Sequence, residues 1–159
     1  MGPPRDELSR AGVVLCSACL RGFDCRYDAQ DKRKPHVVRA LEGKEVVPVC
    51  PEVAGELCVP RPAADLFGGA GGAVLDGRAK VVTRAGRDVT QAFLTGATLA
   101  LEAARRYGAS VAVLKEGSPS CGCKRVVVDG ASTGGMGVAA AALTRAGVTL
   151  ISDEDLEQP

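Results

Sequence analysis

Cys19, Cys50 and Cys121 are the residues of this chain best placed to do chemistry. Each follows a short apolar run and leads into polar residues, Pro or Gly: Cys19-Leu20-Arg21-Gly22, Cys50-Pro51-Glu52 and Cys121-Gly122-Cys123. They belong to a set of seven cysteines, with Cys16, Cys25, Cys58 and Cys123, set against a single histidine, His36. An odd number of thiols without a secretion signal argues against a disulfide framework and for metal or thiol chemistry. One histidine is too few for the common zinc hydrolase sites, which take two or three. Three thiolates suit a [4Fe–4S] cluster with three protein ligands. They suit zinc as well, if Cys25 or Cys123 closes a fourth position, and spacing alone leaves the two even. The pairs Cys16-x-x-Cys19 and Cys121-x-Cys123 also admit thiol redox work. The thioredoxin form of the first opens a helix, however, which Leu20-Arg21-Gly22 does not. Cys16, inside an apolar run, and Cys58, between Leu57 and Val59, read as structural. His36, beside Pro35 and far in sequence from the three thiols, reads as structural or exposed.

Positioning three distant cysteines falls to the elements that end at them. Residues 12–18 and 111–114 read as short buried strands and Glu45–Val49 as a third, each running into one of the cysteine segments. A helix is expected from Pro35 to about Leu41, stopped by Gly43. The clearest helix covers residues 89–107, with Asp88 as N-cap, Gln91 placed for a capping box and Gly108 past the end. Val89, Phe93, Ala97, Ala100, Leu101, Ala104 and Tyr107 share one face of it. Residues 53–72, rich in Pro and Gly, read as loop, and Asp76-Gly77 as a hairpin turn. An extended piece at 124–128 precedes the turn Asp129-Gly130. Gly134, Gly135 and Gly137 then introduce a helix ending near Ala146, followed by a strand at 148–151. Their free backbone N–H groups could hold an anion, or the glycines could serve only to turn the chain.

Strands alternating with helices imply an α/β fold: one compact Rossmann-like domain, with a mainly parallel sheet and helices on both faces. Residues 1–11 are expected to be a flexible N-terminal segment and 12–159 the domain. In open α/β sheets, ligand sites lie at the carboxyl ends of strands, where Cys19, Cys50 and Cys121 would meet.

Composition narrows the partners. The chain has 159 residues, a formal charge of +1, 46% hydrophobic residues and 3% aromatics without Trp. That leaves no basic stripe or stacking platform for nucleic acid and no polybasic segment for a membrane. The charged start, Met1-Gly2-Pro3-Pro4-Arg5-Asp6-Glu7, lacks the apolar region of a signal peptide, and no apolar run reaches the roughly 18 residues of a membrane span. A soluble, cytoplasmic protein is expected, monomer or homodimer.

A longer ordered set of motifs completes the picture. It comprises Ser17-Ala18-Cys19-Leu20 with Gly22, Cys25-Arg26-Tyr27-Asp28, Cys50-Pro51-Glu52 and Pro60-Arg61-Pro62. It continues with Gly86-Arg87-Asp88-Val89-Thr90, Phe93, Gly96-Ala97, Leu114-Lys115, Ser118-Pro119-Ser120-Cys121-Gly122, Asp129-Gly130 and Gly137-Val138. In this order, over nearly all the chain after Gly12, the sequence resembles the bacterial thiouracil desulfurase family. The resemblance implies conversion of 2-thiouracil and water to uracil and hydrogen sulfide without net redox. It implies a [4Fe–4S] cluster on three cysteines, with the fourth iron open to the substrate sulfur. Carried over by motif, the ligands are Cys19, Cys50 and Cys121, the catalytic acid/base is Glu52 and the substrate-contacting serine is Ser118. Cys25 is not counted among the ligands.

Three departures bear on the substrate more than on the cluster. Ala29 stands where a glycine is usual, residues 131–136 lack an aromatic residue and a longer polar loop, and Cys123 is an extra thiol. The expected partner is a thiolated pyrimidine, as free base, nucleoside or related thioamide. Lys115 would balance cluster charge or pair at the surface, and Arg26 with Asp28 would orient the loop carrying Cys19 or touch substrate. The competing functions are a metal- or cluster-bearing binding module without catalysis and a thiol redox protein.

Overall fold

The computed structural model describes residues 3–23, 26–28 and 33–157; Cys25 and Ala29 lie outside them. The elements run α1 (Pro3–Arg10), β1 (Val13–Ser17), a 3-10 turn (Ala18–Arg21), α2 (Pro35–Ala40), β2 (Glu45–Val49), α3 (Pro51–Ala54), β3 (Ala64–Phe67), α4 (Gly71–Leu75), β4 (Lys80–Thr83), α5 (Thr90–Tyr107), β5 (Val111–Leu114), β6 (Arg125–Val128), β7 (Ala131–Gly134), α6 (Val138–Arg145), β8 (Thr149–Ser152) and a second 3-10 turn (Asp153–Leu156).

Strands β2-β1-β5-β8 form one sheet, parallel throughout, and β4-β3-β6-β7 form a second, mixed one. In the parallel sheet the register sets Leu15 opposite Val47 and Ala112, and Val113 opposite Ile151. Side-chain alternation then splits the core across this sheet. Val14, Cys16, Val111 and Val113 pack with Leu8, Val37 and Leu41 on the side of α1 and α2. Leu15, Ala112 and Leu114 pack with Ala104, Ala140 and Leu143 on the side of α5 and α6. Helices therefore cover both faces, as the α/β reading requires. A third cluster, with Phe93, Ala97 and Val138 among its members, closes α5 and α6 onto the second sheet.

Four local expectations are corrected. Residues 53–72 hold β3 and the start of α4 rather than loop alone. Asp76-Gly77 ends α4, so β3 and β4 pair antiparallel across a helix and not across a tight hairpin. Asp88 does accept the Thr90 N–H at 2.9 Å, but Gln91 forms no capping box and reaches Thr95 instead. Tyr107 is 48% exposed, because the buried stripe of α5 ends at Ala104. The turn Asp129-Gly130, with φ of 51° and 82°, closes a β6–β7 hairpin whose second strand is exposed and carries no apolar pattern to announce it. Residues 3–10, in the segment read as a flexible lead-in, form α1 and bury Leu8. No helix among the described residues is long and apolar enough to cross a membrane.

Candidate active site

The carboxyl ends of β1, β2 and β5 converge on a cavity of about 250 Å³. Cys50, Glu52, Ser118 and Cys121 line it, together with Arg61 and Ser120. Cys19 is not among its walls. It sits 7% exposed in the 3-10 turn after β1, with its thiol within electrostatic range of Cys50 and Cys121, which also sense each other. Of the residues expected from sequence, all five are thus brought to one sheet edge, four on the cavity wall and Cys19 just behind it.

Each is placed by a local device. Gly22, at φ 100°, ends the 3-10 turn that carries Cys19. Pro51 opens α3 in its first turn, which leaves Cys50 as the residue before the helix and Glu52 inside it. Close backbone approach fixes α3 on α5: a Cβ at Gly96 would lie 2.0 Å from the Pro51 carbonyl oxygen, and one at Gly55 2.1 Å from that of Ala92. The Cys121 loop is tied at both ends. The Ser118 hydroxyl accepts the backbone N–H groups of Ser120 and Cys121, each at 3.1 Å. From the other side, Gly137, Val138 and Ala140 at the start of α6 donate to the carbonyls of Gly122, Pro119 and Ser120. Those N–H groups are therefore spent on the loop, and the reading of the glycines as an anion site is set aside.

Glu116 holds the loop from inside. It is 2% exposed, and its Oε1 accepts from the backbone of Gly117, Cys123, Lys124 and Arg125. Burial pushes its carboxyl up, but these N–H groups, with Lys124 and Arg125 foremost, together hold it below the usual range. Asp153, 1% exposed, in turn accepts the Glu116 N–H at 2.8 Å. His36 ends on the Asp153 carbonyl at 3.0 Å, a structural tie.

Glu52 is held at both oxygens. Arg61 directs Nε and Nη2 to Oε1, at 3.1 and 2.9 Å, and the Ser120 hydroxyl donates to Oε2 at 3.2 Å. Both members of the ion pair are largely buried. Arg61 stands in the quoted Pro-Arg-Pro motif, and its partner could not be guessed from spacing. Ser120 stands in the Ser118-Pro119-Ser120-Cys121-Gly122 motif with no role implied for it. The one available signal for Glu116 is an acid placed two residues after an apolar strand.

Cys19 and Cys121 are weak acids as they stand. Burial pushes Cys19 up to about 11, opposed by Arg26 and, less, by Lys115. It pushes Cys121 up to about 12, opposed by the hydroxyls of Ser17 and Ser120. Lys115 otherwise donates to the Glu116 carbonyl at 2.9 Å, and Arg26 lies 5.2 Å from the Tyr27 ring and 3.9 Å from Asp28. Cys16 is fully buried, with burial raising it to about 12, and the Cys123 thiol is raised by burial and by Glu116. Neither has the electropositive, accessible setting of a redox thiol. Cys58 is exposed, not structural as expected.

The donor set fits an iron–sulfur cluster. Three thiols lie within electrostatic range of one another, Arg26 and Lys115 favour the Cys19 thiolate, and the Ser17 and Ser120 hydroxyls face the Cys121 sulfur. Of the two residues that could close a zinc site, Cys25 lies outside the described residues and Cys123 is half-buried beside Cys121.

Comparison with known proteins agrees. A solved structure of TudS, a [4Fe–4S]-dependent thiouracil desulfidase, is 41% identical, with a TM-score of 0.76 over 90% of this chain and 91% of that one. The uncharacterized protein YbbK of Bacillus subtilis (strain 168) is 39% identical over 148 residues, 91% of this chain and 97% of its own. The family model for 2-thiouracil desulfurase matches residues 14–155. By that match, the chain belongs to the 2-thiouracil desulfurase family.

Proposed function

We propose that this protein converts 2-thiouracil, or a closely related thiolated pyrimidine, and water to uracil and hydrogen sulfide, using a [4Fe–4S] cluster held by Cys19, Cys50 and Cys121. The observation that carries the reading is the meeting of these three thiols beside a fixed Glu52 at one sheet edge. The family match over residues 14–155 supports treating residues 12–159 as one working domain. When bound, the cluster supplies a soft Lewis acid suited to a thiocarbonyl sulfur.

The chain's own residues do the rest. Arg61 and Ser120 hold the Glu52 carboxylate facing the cavity, where it takes a proton from water as water attacks the ring carbon, then returns one to the departing sulfur. Ser118 has both hydroxyl lone pairs occupied by backbone N–H groups, so towards a substrate it can only donate, which suits a ring carbonyl.

The test is iron and labile sulfide content of anaerobically reconstituted protein, with sulfide release from 2-thiouracil. About four irons and four sulfides per chain are expected, with turnover, both lost in Cys19→Ala, Cys50→Ala and Cys121→Ala. Stoichiometric zinc without a cluster would overturn the reading.

A further inference from the structure

The parallel sheet supplies the cysteine-bearing walls of the cavity, and the mixed sheet supplies another. Along β3, Ala64 and Leu66 pack into the cluster that includes Phe93 and Val138, so Asp65 faces the opposite way. Strand β6 runs parallel beside β3 with Leu66 opposite Val128, which sets Asp65 next to Val127, and both line the cavity. Arg84, just past β4, lines it too. Three carboxylates reach the cavity, and only one of them is open to a ligand. Glu52 spends both oxygens on Arg61 and Ser120. Glu116 is 2% exposed and turned to the N–H groups of its own loop. Asp65 pairs with Arg84 at 3.7 Å, beyond hydrogen-bond reach, and among the described residues it accepts no hydrogen bond. The Arg84 side chain is 71% exposed and that of Asp65 21%, so the pair is loose and the carboxylate keeps its lone pairs. At about 250 Å³ the cavity falls below the roughly 300–1,000 Å³ of pockets for drug-sized ligands, so a ring held in it lies close to both sheets.

We propose that Asp65 is a specificity-determining residue that accepts a ring N–H of the substrate, so that the site takes thiolated pyrimidines with that N–H free and rejects those alkylated at the nitrogen. The inference rests on the desulfurase reading above. A thiolated ring of the uracil type offers both signs of hydrogen bond: N–H donors beside the carbon that bears sulfur, and a carbonyl acceptor. The protein offers the complementary pair. An ionised carboxylate only accepts, and the Ser118 hydroxyl, with both lone pairs occupied, only donates. One comes from β3 and the other from the loop after β5, so together they fix the rotation of the ring in its own plane. A hydrogen bond from an N–H to a carboxylate is charge-assisted and is among the stronger kinds. An analogue that lacks the donor leaves the Asp65 carboxylate desolvated and unpaired, which is how a polar site discriminates most strongly. The contact orients the substrate, and no proton is transferred in it.

The experiment measures the Kd of 2-thiouracil, 1-methyl-2-thiouracil and 3-methyl-2-thiouracil for reconstituted wild type and Asp65→Asn, with iron content and sulfide release alongside. Wild type should bind one of the two methyl isomers at least about 10-fold more weakly than 2-thiouracil, the low end for a hydrogen bond to a charged group. Asp65→Asn keeps the shape and loses the charge. It should retain iron, raise the Kd of 2-thiouracil by about 10-fold and leave the Kd of that isomer within about two-fold. The other isomer, whose N–H is still free, should weaken along with 2-thiouracil. A loss of affinity shared equally by all three compounds marks a structural role, and an unchanged Kd of 2-thiouracil marks a purely steric wall. Either result overturns the inference, as does a wild type that discriminates against neither isomer. Because Kd is read without turnover, a wild type that shows the expected pattern yet releases no sulfide defeats the desulfurase reading while the Asp65 contact stands. A wild type that holds its cluster and does not bind 2-thiouracil defeats both.

Discussion

Glu52 cannot turn without breaking a bond, since Arg61 takes one oxygen and Ser120 the other. Preorganisation of this kind separates an acid/base from a glutamate that merely sits in a loop, because a carboxylate free to rotate spends most of its time misaligned. Glu52→Gln keeps the shape and an acceptor for Ser120 but cannot take up a proton. It is expected to retain iron and to lose about 10²- to 10⁴-fold in kcat. Sulfide release by the iron-loaded variant at the wild-type rate would remove Glu52 from the acid/base role, whereas a wild type that holds iron and releases no sulfide would return the site to the class of binding modules. Glu52 came forward as the candidate base through the family resemblance, on its place in the Cys50-Pro51-Glu52 motif. Its support could not be read in the same way, since Arg61 and Ser120 approach from sequence separations of 9 and 68 residues, and no periodicity reports such contacts.

At the scale of elements, the delivery of the site is a matter of close packing between α3 and α5. Gly96, buried on α5, allows the Pro51 carbonyl to approach where any side chain would collide. Gly96→Ala is expected to lower stability by about 1–3 kcal/mol, the usual cost of overpacking, and also to shift the start of α3, which carries Cys50 and Glu52. Gly108→Ala supplies the contrast. Its Cβ would meet nothing within 4 Å, but φ is 70°, so the cost is backbone strain of about 1 kcal/mol with no reach into the cavity. Both variants should melt early, and only Gly96→Ala should take up less iron.

The strands leading to the cysteines were legible because four- or five-residue apolar runs bounded by Gly, Pro or polar residues have few other fates. Glu45–Val49 and Val111–Leu114 fall where the pattern puts them. Ala64–Phe67, Gly71–Leu75 and Ala131–Gly134 were not legible. The first two lie among Pro and Gly, and the third is exposed along its length, so each owes its structure to partners distant in sequence.

For the whole molecule, the cavity floor depends on Glu116, where the loop after β5 meets the turn that follows β8. The carboxyl of Glu116 titrates below its usual value in the folded state. A group whose folded pKa is depressed contributes stability above its unfolded value and loses that contribution as pH falls through the folded one. Stability should therefore hold from neutrality down to about 4.5, the unperturbed value, and decline below it. Asp76 and Glu154 are also held low, by the guanidinium groups of Arg145 and Arg78 in one case and of Arg125 in the other. Those pairs lie on the surface, where they contribute little and salt screens them. Denaturant midpoints measured from pH 7 to pH 3 at low and high salt separate the two sources. The decline should persist in high salt and flatten in Glu116→Gln, which is less stable at pH 7 because an amide accepts the four N–H groups more weakly than a carboxylate does. A decline abolished by salt would place acid sensitivity on the surface pairs. A salt-resistant decline makes one buried carboxylate the link between the stability of the whole fold and the loop that carries Ser118, Ser120 and Cys121.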